Sequence, residues 1–158
     1  MKMKIAVFSD THGDVGRMVE TVRREGPDMV FHLGDCERDT EGLRAAFPTL
    51  AIRQVCGNCD VSPRYPLDEV VELGPVRALL THGHRYGVDW GRLDSLVYAA
   101  QERGCSLALF GHTHVPENTE IGGVKLINPG TAGRGRRLSW ALVEIYENGG
   151  VTAEIRDL

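Results

Sequence analysis

The chain has 158 residues, 42% hydrophobic and 25% charged, with a formal net charge of −4. A chain of this size buries roughly 70% of the surface its unfolded form exposes, so one domain with its own core is expected without disulfide support. The composition excludes a disordered chain, the acidic balance argues against a dedicated nucleic-acid binder, and no apolar run reaches the ~18 residues that a membrane span needs.

The first segment, Lys4 to Phe8, is a short apolar run and reads as a buried strand. It follows Met1 so closely that no signal peptide fits, and a cytoplasmic protein is expected. Val15, Met18, Val19 and Val22 fall on one helical face, and Gly26-Pro27 stops that helix. Met29 to Leu33 reads as a second strand. Thr40 to Phe47 reads as a helix stopped by Pro48, and Leu50 to Val55 as a third strand. Glu69 to Leu73 and Val76 to Thr81 flank Gly74-Pro75 as a hairpin. Leu93, Leu96, Val97 and Ala100 mark a further helix, which ends at Gly104 before an apolar strand from Leu107 to Phe110. Ile121 and Val124 flank the two-residue turn Gly122-Gly123, and Leu138 to Ile145 and Val151 to Ile155 flank Asn148-Gly149-Gly150. So βα units are followed by antiparallel strands, with no linker and no repeat. Two sheets packed face to face with helices outside accommodate this order in a single domain spanning 1–158.

The polar residues carry the functional information. Apolar strands end repeatedly in turns that hold Asp, His or Asn: Asp10 and His12; Gly34 and Asp35; Gly57, Asn58 and Asp60; His82 and His84; His112 and His114. Five of the six histidines lie in these turns. Ligands of open α/β sheets bind outside the carboxyl ends of strands, so five such ends converge on one place. Imidazole, carboxylate and amide oxygen together suit a borderline-to-hard divalent cation. They are too many for one tetrahedral zinc. Two cations sharing a bridging carboxylate use them all, and cations ~3.5–4 Å apart clamp a phosphoryl group and activate a water for in-line attack. Taken singly, the motifs say less. Asp10 alone is a helix-capping turn, Gly34-Asp35 a common strand end, and Asn58 an ordinary turn residue. The ordered set is what points to metal.

Asp10-x-His12, Gly34-Asp35, Gly57-Asn58-x-Asp60, His82-Gly83-His84 and Gly111-His112-x-His114 appear in the order of the calcineurin-like metallophosphoesterase superfamily, which the chain resembles over essentially its whole length. The short chain and Asn128-Pro129-Gly130 are similar to its small bacterial and archaeal YfcE-like phosphodiesterases, a branch to which the retromer subunit Vps29 is also related. The resemblance implies a four-layer α/β/β/α sandwich, the metallo-dependent phosphatase fold. It implies one cation held by Asp10, His12, Asp35 and His114, and a second by Asp35, Asn58, His82 and His112, with Asp35 bridging. Manganese is the first choice on family grounds, and iron, zinc and nickel also suit the donors. A small phosphorylated substrate is the expected partner. Neither a membrane nor a nucleic acid is expected, and a homodimer is plausible for the branch.

One position departs from the larger members of the superfamily, which carry a histidine directly after the motif asparagine. Here it is Cys59. That leaves the leaving-group proton without an obvious donor, and His84 is the nearest candidate, so the expected catalytic set is Asp35, Asn58 and His84. Asp60 is expected to orient the Asn58 loop through backbone hydrogen bonds, Cys59 to be a small packed side chain, and His32 to belong to the core. Arg134, Arg136 and Arg137 read as a solvated loop, with phosphate binding the alternative. Tyr86 and Trp90 either line a pocket or anchor a helix. Asn128 and Gly130 either shape the floor of the site or form a plain turn. Three rival functions stand beside a phosphodiesterase. They are a phosphomonoesterase using the same clamp, a Vps29-like scaffold, and a thiol oxidoreductase built on Cys56 and Cys59, which needs a lowered thiol pKa.

Overall fold

Residues 2–158 are described by the computed structural model. β1 (Lys2–Phe8) lies at the centre of the first sheet. It pairs in parallel with β2 (Met29–His32) through α1 (Gly16–Glu25), and β2 pairs in parallel with β3 (Ala51–Gln54) through α2 (Thr40–Ala46). On its other side, β1 pairs antiparallel with β9 (Ser139–Tyr146), and β10 (Val151–Asp157) closes that edge. The second sheet begins with the hairpin of β4 (Asp68–Leu73) and β5 (Val76–Thr81). α3 (Asp94–Glu102) then leads to β6 (Leu107–Leu109), parallel to β5. A last hairpin places β8 (Val124–Asn128) against β6 and β7 (Glu117–Ile121) on the outside.

Alternation along the strands builds the layers. Ile5 and Val7 of β1, with Phe31 and Leu33, face Leu80, Leu107, Leu109 and Ile127 of the second sheet in one buried cluster. Ala6 and Phe8 point to the opposite face, where Met18 and Val22 of α1 and Leu43 of α2 cover them with Trp140. Leu79, Ala108 and Leu126 of the second sheet are covered in the same way by Leu96 and Ala100 of α3. Both faces of the inner strands are therefore dry, which is why these strands read as unbroken apolar runs. The result is the expected α/β/β/α sandwich. Each large side chain buried this way contributes about 1.5–3 kcal/mol.

Two features differ from the sequence pattern. Hairpin signals leave the later strands antiparallel, yet β5, β6 and β8 run parallel, because α3 acts as a crossover and β7 is pushed to the edge. The helix beginning at Thr40 is also preceded by a single 3₁₀ turn, Glu37–Asp39. No helix among the described residues is long and apolar enough to cross a membrane. The cysteines at 36, 56, 59 and 105 are all free.

Truncating a side chain between the sheets tests this layering. Phe31→Ala is expected to lower unfolding free energy by about 3–5 kcal/mol, read from urea denaturation of the metal-free protein. A loss below about 1 kcal/mol would contradict the packing described.

Candidate metal centre

The carboxyl ends of β1, β2, β5 and β6 meet at one rim. The Asp10 amide donates to Gly34 O at 3.0 Å and Gly111 N–H donates to His82 O at 3.0 Å, so backbone bonds tie β1 to β2 and β5 to β6. Asp10 is fully buried. Its Oδ2 accepts Ser9 Oγ–H at 2.6 Å and the His112 amide at 3.1 Å. Its Oδ1 is buried with no hydrogen-bond partner. Three imidazoles surround that oxygen: Nε2 of His114 at 3.3 Å, of His12 at 3.8 Å and of His82 at 3.8 Å.

Asp35 supplies the second carboxylate. Oδ1 accepts the Cys59 amide at 2.9 Å, while Oδ2 faces His82 Nε2 at 3.5 Å and His12 Nε2 at 3.8 Å. Burial alone would raise the Asp35 pKa, but hydrogen bonding and charge from His82, aided by Cys59, hold it well below the usual carboxylate range. His82 shows the converse. Burial alone would lower its pKa, and the facing Asp35 and Asp10 outweigh it and raise it. The close approach of Asp10, whose Oδ1 lies 3.3 Å from His114 Nε2, likewise raises His114 against the effect of burial.

Glycine and a left-handed backbone make this convergence possible. Among the described residues seven non-glycines have positive φ, and five of them are Asp10, His12, Asp35, His112 and His114. Such a conformation is uncommon for any residue with a Cβ, although Asp and His are among the better tolerated, and it gathers at functional sites. At Gly57 a Cβ would overlap Asp35 Oδ1, and at Gly111 it would overlap Ser9 Oγ. At Gly34 it would lie 2.7 Å from Gly57 N and 2.8 Å from His82 Nδ1. Asn128 clamps the last turn, donating from Nδ2 to Gly111 O and Thr113 Oγ, each at 3.1 Å, and accepting Gly130 N–H on Oδ1.

The structure brings together Asp10, His12, Asp35, His82, His112 and His114, and leaves Asn58 at the margin. Asn58 is exposed, with Nδ2 3.7 Å from Cys59 Sγ. Its loop nevertheless grips Asp35, because Gly57 packs on that carboxylate and Cys59 N–H donates to it. Asp60 holds the loop as expected, accepting the amides of Gly57 at 2.7 Å, Glu37 at 2.9 Å and Asp35 at 3.1 Å. Cys59 corrects the expectation of a packed side chain. It is exposed, because the residue's role is carried by its amide and the thiol is left to solvent. Burial raises the Cys56 thiol, and partial desolvation with the carboxylates of Asp35, Asp10 and Asp60 nearby raises that of Cys59, the opposite of what a redox pair requires.

His84 stands beside the cluster, its ring centroid 5.5 Å from that of His82 and 6.1 Å from that of His112. Its Nδ1 is buried without a partner, and burial, with His82 and His112 nearby, lowers its pKa. His32 is a buried support. It accepts Gly34 N–H on Nδ1 at 3.2 Å and donates from Nε2 to Thr11 Oγ at 2.9 Å. Tyr86 anchors β4 through Asp68, while Trp90 is 81% exposed. Arg137 pairs with Asp157, and Arg134 and Arg136 are exposed. Sequence reading missed Ser9, which holds Asp10, and Asp89, whose Oδ1 lies 2.7 Å from His112 Nε2.

The donors fit divalent cations. Asp10, His12 and His114 form one group and Asp10, Asp35 and His82 another, with ligand atoms within 4.8 Å in each. The orphaned atoms Asp10 Oδ1 and His12 Nε2 both belong to these groups. His82 Nδ1 lies 2.7 Å from Leu33 O and donates to it, which turns Nε2 towards the carboxylates. That Nε2 is 3.2 Å from His112 Nδ1. Two ring nitrogens so placed require a proton or a cation between them. Nitrogens on one cation at ~2.0–2.1 Å each, at about a right angle, would lie about 3 Å apart.

A rim of imidazoles and carboxylates at the carboxyl ends of a double-sheet sandwich marks the chain as a metal-binding protein of the α/β/β/α class. The chain belongs to the calcineurin-like phosphoesterase superfamily, whose domain matches residues 3–148. It is 30% identical over 159 residues to the probable metallophosphoesterase YsnB of Bacillus subtilis, covering 98% of this chain and 91% of that one. Its fold is similar to that of a novel archaeal phosphodiesterase (TM-score 0.75, 20% identity, 98% of this chain and 100% of that one). It is similar also to wild-type Vps29 of Entamoeba histolytica complexed with Zn²⁺ (TM-score 0.77, 24% identity, 98% and 99% of the two chains). The family implies use of divalent metal.

Close backbone approach at Gly57 generates a test. Gly57→Ala forces Asp35 to shift, a change that costs on the order of 1–3 kcal/mol. The expected outcome is a folded protein by circular dichroism whose divalent-cation affinity falls at least about tenfold in calorimetric titration. Unchanged affinity would show that Asp35 need not occupy this position.

Proposed function

We propose that the protein is a phosphodiesterase that works with two divalent cations. The observation that carries this reading is the place of Asp35 Oδ2, between His12 Nε2 at 3.8 Å and His82 Nε2 at 3.5 Å, one histidine from each expected ligand set. Asp10, His12, Asp35 and His114 would hold one cation, and Asp35, Asn58, His82 and His112 the other. For Asn58 this requires its amide oxygen to turn inward from the exposed position on its loop. Manganese is the first choice on family grounds, and iron, zinc or nickel also suit nitrogen and oxygen donors without thiolate. When bound, such a pair supplies Lewis acidity and a nucleophilic water near neutral pH.

The chain's own residues do the rest. Asp10 and Asp35 are fixed by Ser9, His112 N–H and Cys59 N–H, so the site is built before substrate arrives. Preorganised charge of this kind favours in-line displacement at phosphorus without reorganisation at the moment of reaction. His84, beside His82 and His112, would be the side chain that hydrogen-bonds a leaving oxygen. Its lowered pKa keeps it mainly neutral near pH 7, which makes it a weak proton donor. A phosphodiester with a good leaving group is therefore the natural substrate in an assay.

A panel of mono- and diesters, assayed with each metal on the stripped protein, tests the reaction class. Diesters should turn over faster than monoesters, and aryl diesters at least about 10²-fold faster than alkyl ones, the scale of a missing general acid. Equal aryl and alkyl rates would reveal another acid. Faster monoester cleavage would transfer the assignment to a phosphomonoesterase. Two bound metals with no turnover of any ester would favour a scaffold, the second reading that the likeness to Vps29 keeps open. Asp35→Asn should lower turnover by on the order of 10²–10³-fold or more and release both cations. Full activity with two cations retained would remove Asp35 from the bridging position.

A further inference from the structure

We propose that Asp89 is the positioning residue for His112, holding the imidazole proton on Nε2 so that Nδ1 is presented bare to the second cation. The proposal rests on the two-cation reading above. Asp89 sits on the 3₁₀ turn Val88–Trp90, between Gly87 and Gly91, both left-handed with φ of 71°. Glycine at both ends lets the chain reverse sharply without Cβ strain. Gly91 N–H donates to Val88 O at 3.1 Å and closes the turn. Val88 is buried in the same cluster as Phe110, and a Cβ on Gly83 would lie 3.3 Å from Val88 Cγ2. The turn is thus seated between the ends of β5 and β6, and Asp89 is held in place although about half exposed.

The geometry around His112 is a mirror of that around His82. His82 places Nδ1 2.7 Å from the carbonyl of Leu33 and presents Nε2 inward. His112 places Nε2 2.7 Å from Asp89 Oδ1 and presents Nδ1 inward. The two inward nitrogens lie 3.2 Å apart. An exposed ion pair by itself contributes little. A carboxylate that accepts the outer N–H of a metal-binding imidazole does more, because it fixes tautomer and ring orientation and raises ligand basicity. Neither sequence spacing nor the motif set points to residue 89. The contact exists because the Gly87 to Gly91 turn folds back over the end of β6.

Two measurements test the proposal. In ¹⁵N-resolved spectra of the metal-free protein, His112 should carry a slowly exchanging proton on Nε2, lost in Asp89→Ala and kept in Asp89→Asn, whose amide oxygen still accepts. In calorimetric titration with Mn²⁺, Asp89→Ala should weaken the second binding event about 10- to 100-fold and leave the first within about twofold, with Asp89→Asn in between. A wild-type His112 without a proton on Nε2 overturns the proposal, and so do unchanged affinities for both cations in Asp89→Ala. If the wild type takes up only one Mn²⁺, the two-cation reading fails on its own. The proton on Nε2 then decides whether Asp89 positions His112. Retention of the wild-type circular dichroism and thermal midpoint by metal-free Asp89→Ala separates this role from a general loss of structure.

Discussion

A carboxylate oxygen buried away from water needs a compensating positive charge, and Asp10 Oδ1, which faces only imidazole nitrogens at 3.3–3.8 Å, is such an atom. Its partner oxygen is pinned by Ser9 and by the amide of His112, which is 102 positions further along the chain. Nothing about the apolar layers requires this. β1 could end in any small turn and still bury Ile5, Val7 and Phe8. Instead its end drives an acidic group into the seam between two sheets and surrounds the free oxygen with three imidazoles. The arrangement is compensated only when positive charge occupies the space between those groups, and the rest of the rim is organised around that requirement.

The main chain does most of this organising. His112, His114, Asp10, His12 and Asp35 all bend through left-handed conformations, and Gly34, Gly57 and Gly111 lie where a side chain has no room. The turns are then locked from outside by polar residues that are not candidate ligands: Asp60 under the Gly57 loop, Asn128 under the Gly111 turn, and Thr131 bonded to the carbonyl of Asp10. Because side-chain positions follow from backbone turns that are themselves clamped, the candidate ligands have little freedom to relax away from one another.

Much of this was legible in the sequence because two kinds of residue report different things. Apolar runs such as Ile5 to Phe8 and Leu107 to Leu109 mark strands buried on both faces, and the polar residues directly after them can only lie at the sheet rim. The four layers and the meeting of Asp10, Asp35, His82 and the two later histidines follow from that. The parallel pairing of β6 with β8 was not legible, since Gly122-Gly123 announces a hairpin without saying which of its strands faces inward. Nor was the exposure of Asn58 and Cys59 readable from their motif, because spacing fixes the backbone of a loop and leaves side-chain direction open. Asp89 gave no sign for a related reason. Its contact depends on two glycine turns folding a short 3₁₀ segment across the top of another strand, a tertiary event without a local pattern.

The site and the core also stand in different thermodynamic positions. None of the candidate ligands belongs to the three apolar clusters that hold the sheets and helices together. Five residues in left-handed turns, each costing of order 1–3 kcal/mol, together with unpartnered buried polar atoms, subtract from the stability that the core supplies. A scaffold that needed only the fold and its outer surfaces would gain stability by relaxing those turns, for instance by exchanging Asp10 or His12 for residues that end a strand without strain. This chain instead gathers imidazole or carboxylate donors at six of the seven expected positions, with Asn58 exposed at the margin. The simplest physical reason to carry that load is a bound cation that returns the lost stability, since any ligand that binds the folded state alone stabilises it by mass action. A strained rim of donors is therefore accounted for by cation binding, and the core explains how the protein can tolerate it.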